Sequence, residues 1–159
     1  MPRRSTNKIR IKESGIREVT FGENLTVLMP SNLYECTLGD NCFVGPFSEI
    51  QRGVVIGNDC RIQSHSFICE GVTVGNNCFI GHGVMFINDT FSDGQPAGGD
   101  MSKWKKTVIG NRVSIGSNAT ILPVTICDEV VIGAGAVVTK DIKRKGTYAG
   151  NPARRLKKR

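Results

Sequence analysis

Residues 38–87 read LGDNCFVGPFSEIQRGVVIGNDCRIQSHSFICEGVTVGNNCFIGHGVMFI, and one period runs through them. Aliphatic side chains recur every six positions at Leu38, Val44, Ile50, Ile56, Ile62, Ile68, Val74 and Ile80, with Phe86 closing the run. Glycine often follows, at Gly39, Gly45, Gly57, Gly75 and Gly81. Four places after each aliphatic comes a small or β-branched residue: Cys42, Ser48, Val54, Cys60, Ser66, Val72, Cys78 and Val84. Six is neither the helical period of 3.6 nor the strand period of two. It fits a short strand and a tight corner, with the aliphatic side chain inward, the small one in the corner and Gly, Asn or Asp taking the turn dihedrals. Three such units close a triangular coil of about 18 residues, and coils stack at strand spacing, roughly 4.8 Å. Each coil buries its inner face only against its neighbours, so the stack is stable where one unit is not.

The same frame extends outward in both directions. It resumes at Ile109, Ile115 and Ile121, slips by one residue, and continues at Ile126, Ile132 and Val138. Upstream, Phe21, Val27 and Leu33 fit, with a second one-residue slip before Leu38. The expectation is an all-β chain of about six coils starting near 21, 38, 56, 74, 109 and 126, with both slips on the third side. Residues 1–20 are then an N-terminal cap or disordered segment, 21–142 a β-helix domain with a loop at 88–107, and 143–159 a basic C-terminal tail.

Composition agrees with this reading. At 159 residues one domain is expected, aromatics are only 6%, and 19 glycines are too many for a helical bundle. The two ends, 1–17 and 140–159, together carry a net +13 and the middle −6. The nearly apolar stretch Val130 to Val138 is far short of the roughly 20 residues that span a bilayer, so no membrane insertion is expected. The opening residues lack the pattern of an export signal. Cys42, Cys60 and Cys78 stack in one corner slot, Cys36 precedes Cys42 by one unit, and Cys69 and Cys127 sit where glycine usually follows the aliphatic residue. They form no CxxC pair and are expected to be small buried hydrophobes in a reducing, cytoplasmic compartment. Without interleaved aromatic and basic residues, no nucleic acid partner is expected.

The repeat breaks between Phe86 and Ile109. Long loops on rigid scaffolds disproportionately carry function. At the loop's root, coil arithmetic stacks Arg52, Glu70 and Asn88 as a vertical ladder on the third side. This is either a surface salt bridge of little energetic worth or a row of hydrogen-bonding groups beside a mobile loop. The chain has two histidines, too few for a three-histidine zinc site. His82 lies at a corner six residues before Asn88 and is a candidate to face the same cleft; His65 is expected to be structural. Trp104, between Lys103 and Lys105, either packs the loop or stacks on a base.

The hexad run resembles the left-handed parallel β-helix of the hexapeptide-repeat acyltransferases over about 21–142. The segment Ile80-Gly81-His82-Gly83-Val84-Met85-Phe86-Ile87-Asn88-Asp89 is similar to the signature of bacterial nucleotide-sugar N-acyltransferases. Gly133-Ala134-Gly135-Ala136-Val137-Val138-Thr139-Lys140-Asp141 and Ala149-Gly150-Asn151-Pro152-Ala153 resemble motifs of the wider superfamily. The resemblance implies a homotrimer that uses acetyl-CoA, without a metal, to acylate the amino group of a dTDP- or UDP-linked amino sugar, 3-amino favoured, in surface-polysaccharide (lipopolysaccharide, O-antigen) synthesis. It implies Asn88, Glu70 and His82 as catalytic, and Arg52, Phe86, Asp89 and Trp104 at the acceptor sugar. Ala134, Lys140, Arg144, Asn151 and Arg154 would meet coenzyme A. Residues Gln95 to Asp100 depart from the Pro-Arg-containing loop of many members, so the sugar's identity does not carry over. The alternative is a sugar O-acetyltransferase with His82 as general base.

Overall fold

The computed structural model describes residues 14–157; residues 1–13, the greater part of the expected cap, and Lys158 and Arg159 lie outside the described residues. Short strands pair in parallel with the equivalent strands of the coils above and below, making three sheets along three sides of a prism. The first side holds Thr20–Phe21, Thr37–Leu38, Val55–Ile56, Val72–Val74, Thr107–Ile109 and Thr125–Ile126. The second runs from Thr26–Val27 through Phe43–Val44, Arg61–Ile62, Phe79–Ile80, Ser114–Ile115 and Val130–Ile132 to Gly146–Ala149. The third runs from Ile16–Arg17 through Asn32–Tyr34, Glu49–Ile50, Phe67–Ile68, Met85–Phe86 and Thr120–Ile121 to Val137–Val138. The hexad sets the register: Leu38 pairs with Ile56, Ile62 with Ile80 and Ile50 with Ile68. The architecture is the parallel β-helix expected from the period and fits its left-handed form.

Six coils begin at the positions the repeat marks, and the stack outruns them at both ends. Ile16–Arg17 adds a third-side strand before residue 21. After Val138, Ile142 bridges to Ile126, and Gly146–Ala149 joins the second side beside Val130–Ile132. Arg154–Arg155 then turns back antiparallel on that strand. The basic tail is therefore partly built into the sheet: its backbone amides find ladder partners as soon as a strand edge is open to them.

The inward column is a single core. Leu33, Val44, Ile50, Ile62, Ile68, Ile80, Phe86, Ile115 and Ile121 are all completely buried. Burying each aliphatic side chain stabilises the fold by about 1.5–3 kcal/mol against leaving it exposed. Cys42, Cys60 and Cys78 fill one corner slot, and each thiol donates to the carbonyl of a glycine on the next coil, at 3.1 Å. Burial pushes the Cys36 thiol up to about 11 and Cys69 to about 12, so both stay protonated at neutral pH.

At the corner between the first and second sides, an Asx ladder satisfies the backbone amides that the strands leave over. Asn58 accepts from the Asp40 amide (2.9 Å), Asn76 from Asn58 (2.8 Å), Asn111 from Asn76 (2.9 Å) and Asp128 from Asn111 (2.8 Å). Beside them Asn41, Asp59 and Asn77 hold left-handed backbone, which their residue types tolerate better than most. At the corner between the second and third sides the coils approach too closely for a side chain: a Cβ on Gly81 would lie 2.7 Å from the Ser117 amide nitrogen.

The loop leaves this stack without disturbing it. Met85–Phe86 and Thr107–Ile109 flank the excursion, yet Phe86 still pairs with Ile121 and Val74 with Ile109. Ile68→Ala should therefore lower the unfolding free energy by about 2–5 kcal/mol, measured by urea denaturation. A loss under about 1 kcal/mol would mean that the interior is not packed tightly around this column.

Candidate active site at the root of the extruded loop

The ladder foreseen from coil arithmetic forms at the corner between the third and first sides. Arg52 Nη2 lies 3.1 Å from Glu70 Oε1 and 3.2 Å from Oε2. The Glu70 side chain is only 13% exposed but that of Arg52 is 47% exposed, so the pair stands at the edge of solvent. One coil up, Asn88 Nδ2 donates to the Glu70 backbone carbonyl at 3.2 Å. That bond fixes the amide so that Oδ1, which has no partner among the described residues, remains a free acceptor.

The loop closes directly above this ladder. The Lys105 amide donates to the Asn88 carbonyl (3.0 Å) and the Thr107 amide to the Gly71 carbonyl (3.1 Å), zipping both ends of the excursion onto the coil. A cavity of about 360 Å³ lies beneath, lined by Arg52, Gly53, Glu70 and Gly71 from the coil and by Met101, Trp104, Lys105 and Lys106 from the loop. Arg52 also contacts Met101 Sδ at 3.4 Å. Arg52, Glu70 and Trp104 thus come together as expected. Met101, Lys105, Lys106 and the two glycines were not foreseen. The neighbouring Trp104 was the available signal, and only the fold of the loop shows which of its charges turn toward the coil. Lys103 turns away, pairing with Asp93 at 2.8 Å.

Two residues expected at the acceptor have other work. Phe86 is completely buried and packs inside the coil as part of the hexad column, with no face to offer a ligand. Asp89 organises the loop: its carboxylate accepts from the Phe91 amide (2.9 Å) and the Ala97 amide (2.7 Å). These bonds, Ala97 first, hold its carboxyl below the usual carboxylate range. Asp100 similarly caps the turn Met101–Lys103 through Ser102.

His82 is not beside Asn88 within the chain. It sits at the other end of the third side, at the corner with the second side, where Nδ1 and Ser64 Oγ share a 2.8 Å hydrogen bond. Backbone bonds stack Pro46, Ser64, His82, Ser117 and Ala134 in one column on this corner: the His65 amide meets Pro46, Gly83 meets Ser64, Asn118 meets His82 and Gly135 meets Ser117. Ala134 is exposed there, and the turn bearing Asn151 is tied to Val137 just above. Lys140 and Arg144 are exposed on the other two corners, and Arg154 lies on the edge strand. Of the five residues expected at coenzyme A, only Ala134 and Asn151 share the His82 corner. A second cavity, of about 610 Å³, is lined by Gly146, Thr147, Arg155, Leu156 and Lys157 at the C-terminal end and includes none of the ladder residues.

The model of the bacterial transferase hexapeptide (six repeats) matches residues 35–70, and that of the hexapeptide repeat of succinyl-transferase matches 64–85 and 106–140. Together they span more than half of the chain. Among curated proteins, the chloramphenicol acetyltransferase of Agrobacterium fabrum is 52% identical over 54 residues, covering 33% of this chain and 26% of that protein. The galactoside O-acetyltransferase of Escherichia coli is 57% identical over 47 residues, covering 29% and 23%. The matches thus span about a quarter of those relatives' length. Among solved structures, a mutant of AntD, an N-acyltransferase from Bacillus cereus in complex with dTDP and coenzyme A, superposes with a TM-score of 0.76. It is 22% identical, covering 88% of this chain and 83% of that one. The acetyltransferase domain of PglB from Neisseria gonorrhoeae, in complex with acetyl coenzyme A, gives 0.62 at 23% identity, covering 87% and 57%. At these identities the likeness establishes the fold.

The Asp89 bonds are open to test. With its pKa lowered in the folded loop, the carboxylate stabilises the loop above about pH 4, where an unfolded Asp is ionised. That contribution is lost as the pH falls through the folded value. Asp89→Ala should raise hydrogen exchange at the Phe91 and Ala97 amides by about tenfold or more and leave Ile121 protected. Unchanged exchange at Ala97 would mean that something else holds the loop.

Proposed function

The chain belongs to the bacterial hexapeptide-repeat transferases, and from that premise we propose that it is an acetyl-CoA-dependent N-acetyltransferase acting on a dTDP- or UDP-linked amino sugar, 3-amino favoured. The observation that carries this reading is the fixed Asn88 side chain, its Nδ2 held by the Glu70 carbonyl and its Oδ1 open at the root of the loop. An open carbonyl oxygen accepts an N–H of the neutral amine and so aims its lone pair. A neutral amine needs positioning and the removal of one proton rather than a strong base. Nitrogen attacks the thioester carbon, the C–S bond breaks, and coenzyme A leaves as the thiol. Glu70, held in place by Arg52, or His82 takes the proton that the ammonium intermediate sheds and passes it to the departing sulfur. Backbone amides at the coil corner stabilise the developing oxyanion. The acetyltransferase names of the relatives support transfer of an acetyl group, and the dTDP and coenzyme A bound by AntD support a nucleotide-linked acceptor and a coenzyme A donor.

The site needs more than one chain. His82 and Asn88 stand at opposite ends of one side, up to about 20 Å apart by strand rise. In a homotrimer with its axis parallel to the coils, rotation keeps every coil at its own height, so the His82 corner of one copy meets the Asn88 corner of the next. The third side then faces inward. Its outward Met85 is 44% exposed beside half-buried Phe67 and Val137, an apolar strip suited to burial. Acetyl-CoA would lie along the Ala134 and Asn151 corner, with the tail cations near its phosphates. The enzyme would work in the cytoplasm, in surface-polysaccharide synthesis.

A second reading is favoured by the His82 corner and by the name of the galactoside O-acetyltransferase relative. The bond between Nδ1 and Ser64 Oγ orients the His82 ring, and in the tautomer in which Nδ1 donates, Nε2 carries a lone pair and suits a general base for a hydroxyl acceptor, as in sugar O-acetylation. Thiol release from acetyl-CoA over a panel of nucleotide-linked 3-amino, 4-amino and hydroxyl sugars separates the two. Turnover is expected only with amino sugars, with kcat/KM about 10²-fold lower in Asn88→Ala and about tenfold lower in His82→Ala. Turnover of hydroxyl sugars that vanishes in His82→Ala would establish O-acetylation instead. Mixed trimers of the two variants should regain roughly a quarter of wild-type turnover; activity no higher than that of either parent would place the site within one chain.

A further inference from the structure

We propose that the cavity under the extruded loop is a nucleoside-diphosphate pocket, in which Lys105 and Lys106 meet the diphosphate and Trp104 stacks on the base. The inference rests on the nucleotide-linked acceptor proposed above and assigns the part of the site that recognises its nucleotide.

The charges on the cavity wall are unequal. Arg52 is neutralised by Glu70 and Lys103 by Asp93. Lys105 and Lys106 line the cavity with no carboxylate partner among the described residues. Two adjacent unpaired cations at one rim suit a ligand carrying two or more negative charges. Position ties that ligand to the acceptor. The Lys105 amide is bonded to the Asn88 carbonyl, so the lysines flank the residue that aims the amine. In a nucleotide sugar the diphosphate is attached to the sugar itself, one ring away from a ring amine. In acyl-CoA the phosphates are a whole pantetheine arm away from the reacting thioester.

The Trp104 side chain lies outside the hydrophobic core. It is half-buried, yet it is not among the residues packed against that core. It lines the cavity instead, with its backbone pinned by the Met101 carbonyl at 3.2 Å. A large, flat and rigid side chain held at a cavity wall is a stacking surface for a planar base. A volume of about 360 Å³ is within the usual range for small-ligand sites.

The coil clears space for this ligand. In the corner column below the loop, the left-handed position is Glu18 and Glu35 in the lower coils but Gly53 and Gly71 where the cavity opens. A Cβ on Gly71 would already lie 3.6 Å from the Lys105 carbonyl oxygen. The two glycines keep off the cavity wall the side-chain volume and the further carboxylates that the lower coils carry, so that Glu70, already paired with Arg52, is the one carboxylate among the lining residues.

Trp104 is the chain's single tryptophan, so its emission reports on the pocket directly. The full chain is titrated with dTDP and with UDP, in the absence and presence of saturating coenzyme A, by emission and by calorimetry. A saturable change in emission is expected, with Kd unmoved by coenzyme A. In Lys105→Ala/Lys106→Ala, Kd should rise at least about tenfold, and in Trp104→Leu calorimetry should show a similar loss. Three outcomes overturn the proposal: no binding, binding abolished by coenzyme A, or calorimetric binding that leaves emission and the lysine variant unaffected. Thiol release on free and nucleotide-linked amino sugars runs alongside. Acyl transfer to free sugars without nucleotide binding would sink this inference alone, whereas nucleotide binding without acyl transfer would sink only the enzymatic reading.

Discussion

A single coil of this protein cannot bury its own interior. Ile50, Ile68 and Phe86 are dry only because each is covered by the equivalent residue one coil above and below, with its strand hydrogen-bonded into that neighbour's register. Dependence on the neighbours makes the interior nearly invariant: the slot takes one aliphatic residue, the corner one small residue, and close approach forces glycine at positions such as Gly81. Every specialised feature is therefore displaced outward, onto the corners and the one segment that leaves the stack.

The candidate site uses that rigidity. Arg52, Glu70 and Asn88 need no packing of their own, because the coil repeat already places them one above another at strand spacing. The loop adds what a strict repeat cannot. It contributes Trp104 and two lysines to a cavity wall, held by two backbone bonds at its root and by the Asp89 and Asp100 carboxylates within. The opposite corner has a column of its own, from Ser64 through His82 to Ala134. The two corners are separated by the width of a side, which is why the mechanism proposed here places their meeting between copies.

Much of this was legible because the period converts sequence position directly into height. Six coils, both register slips, the excursion after Phe86 and the Arg52–Glu70–Asn88 ladder all follow from counting. Counting fails where a residue's direction matters. Phe86 belongs to the inward column and points into the core, although it lies within the segment that resembles a substrate signature. His82 is close to Asn88 in sequence but a full strand away in space. Asp89 borders the cavity in sequence yet spends both carboxylate oxygens on the loop's own amides.

The sequence by itself determined the coiled architecture, the approximate coil count and the column in which each repeated residue stands, since a period of six alternates short strands with corners; the hand of the coil came from the family resemblance. Only the tertiary structure decided which charges of the loop face the coil, that the basic tail adds strands to the second side, and that Asn88 keeps its carbonyl oxygen free. Those outcomes depend on hydrogen bonds between segments with no common period, such as Lys105 to Asn88 and Ala97 to Asp89. No spacing rule encodes them; they are settled by the shape the chain has already taken.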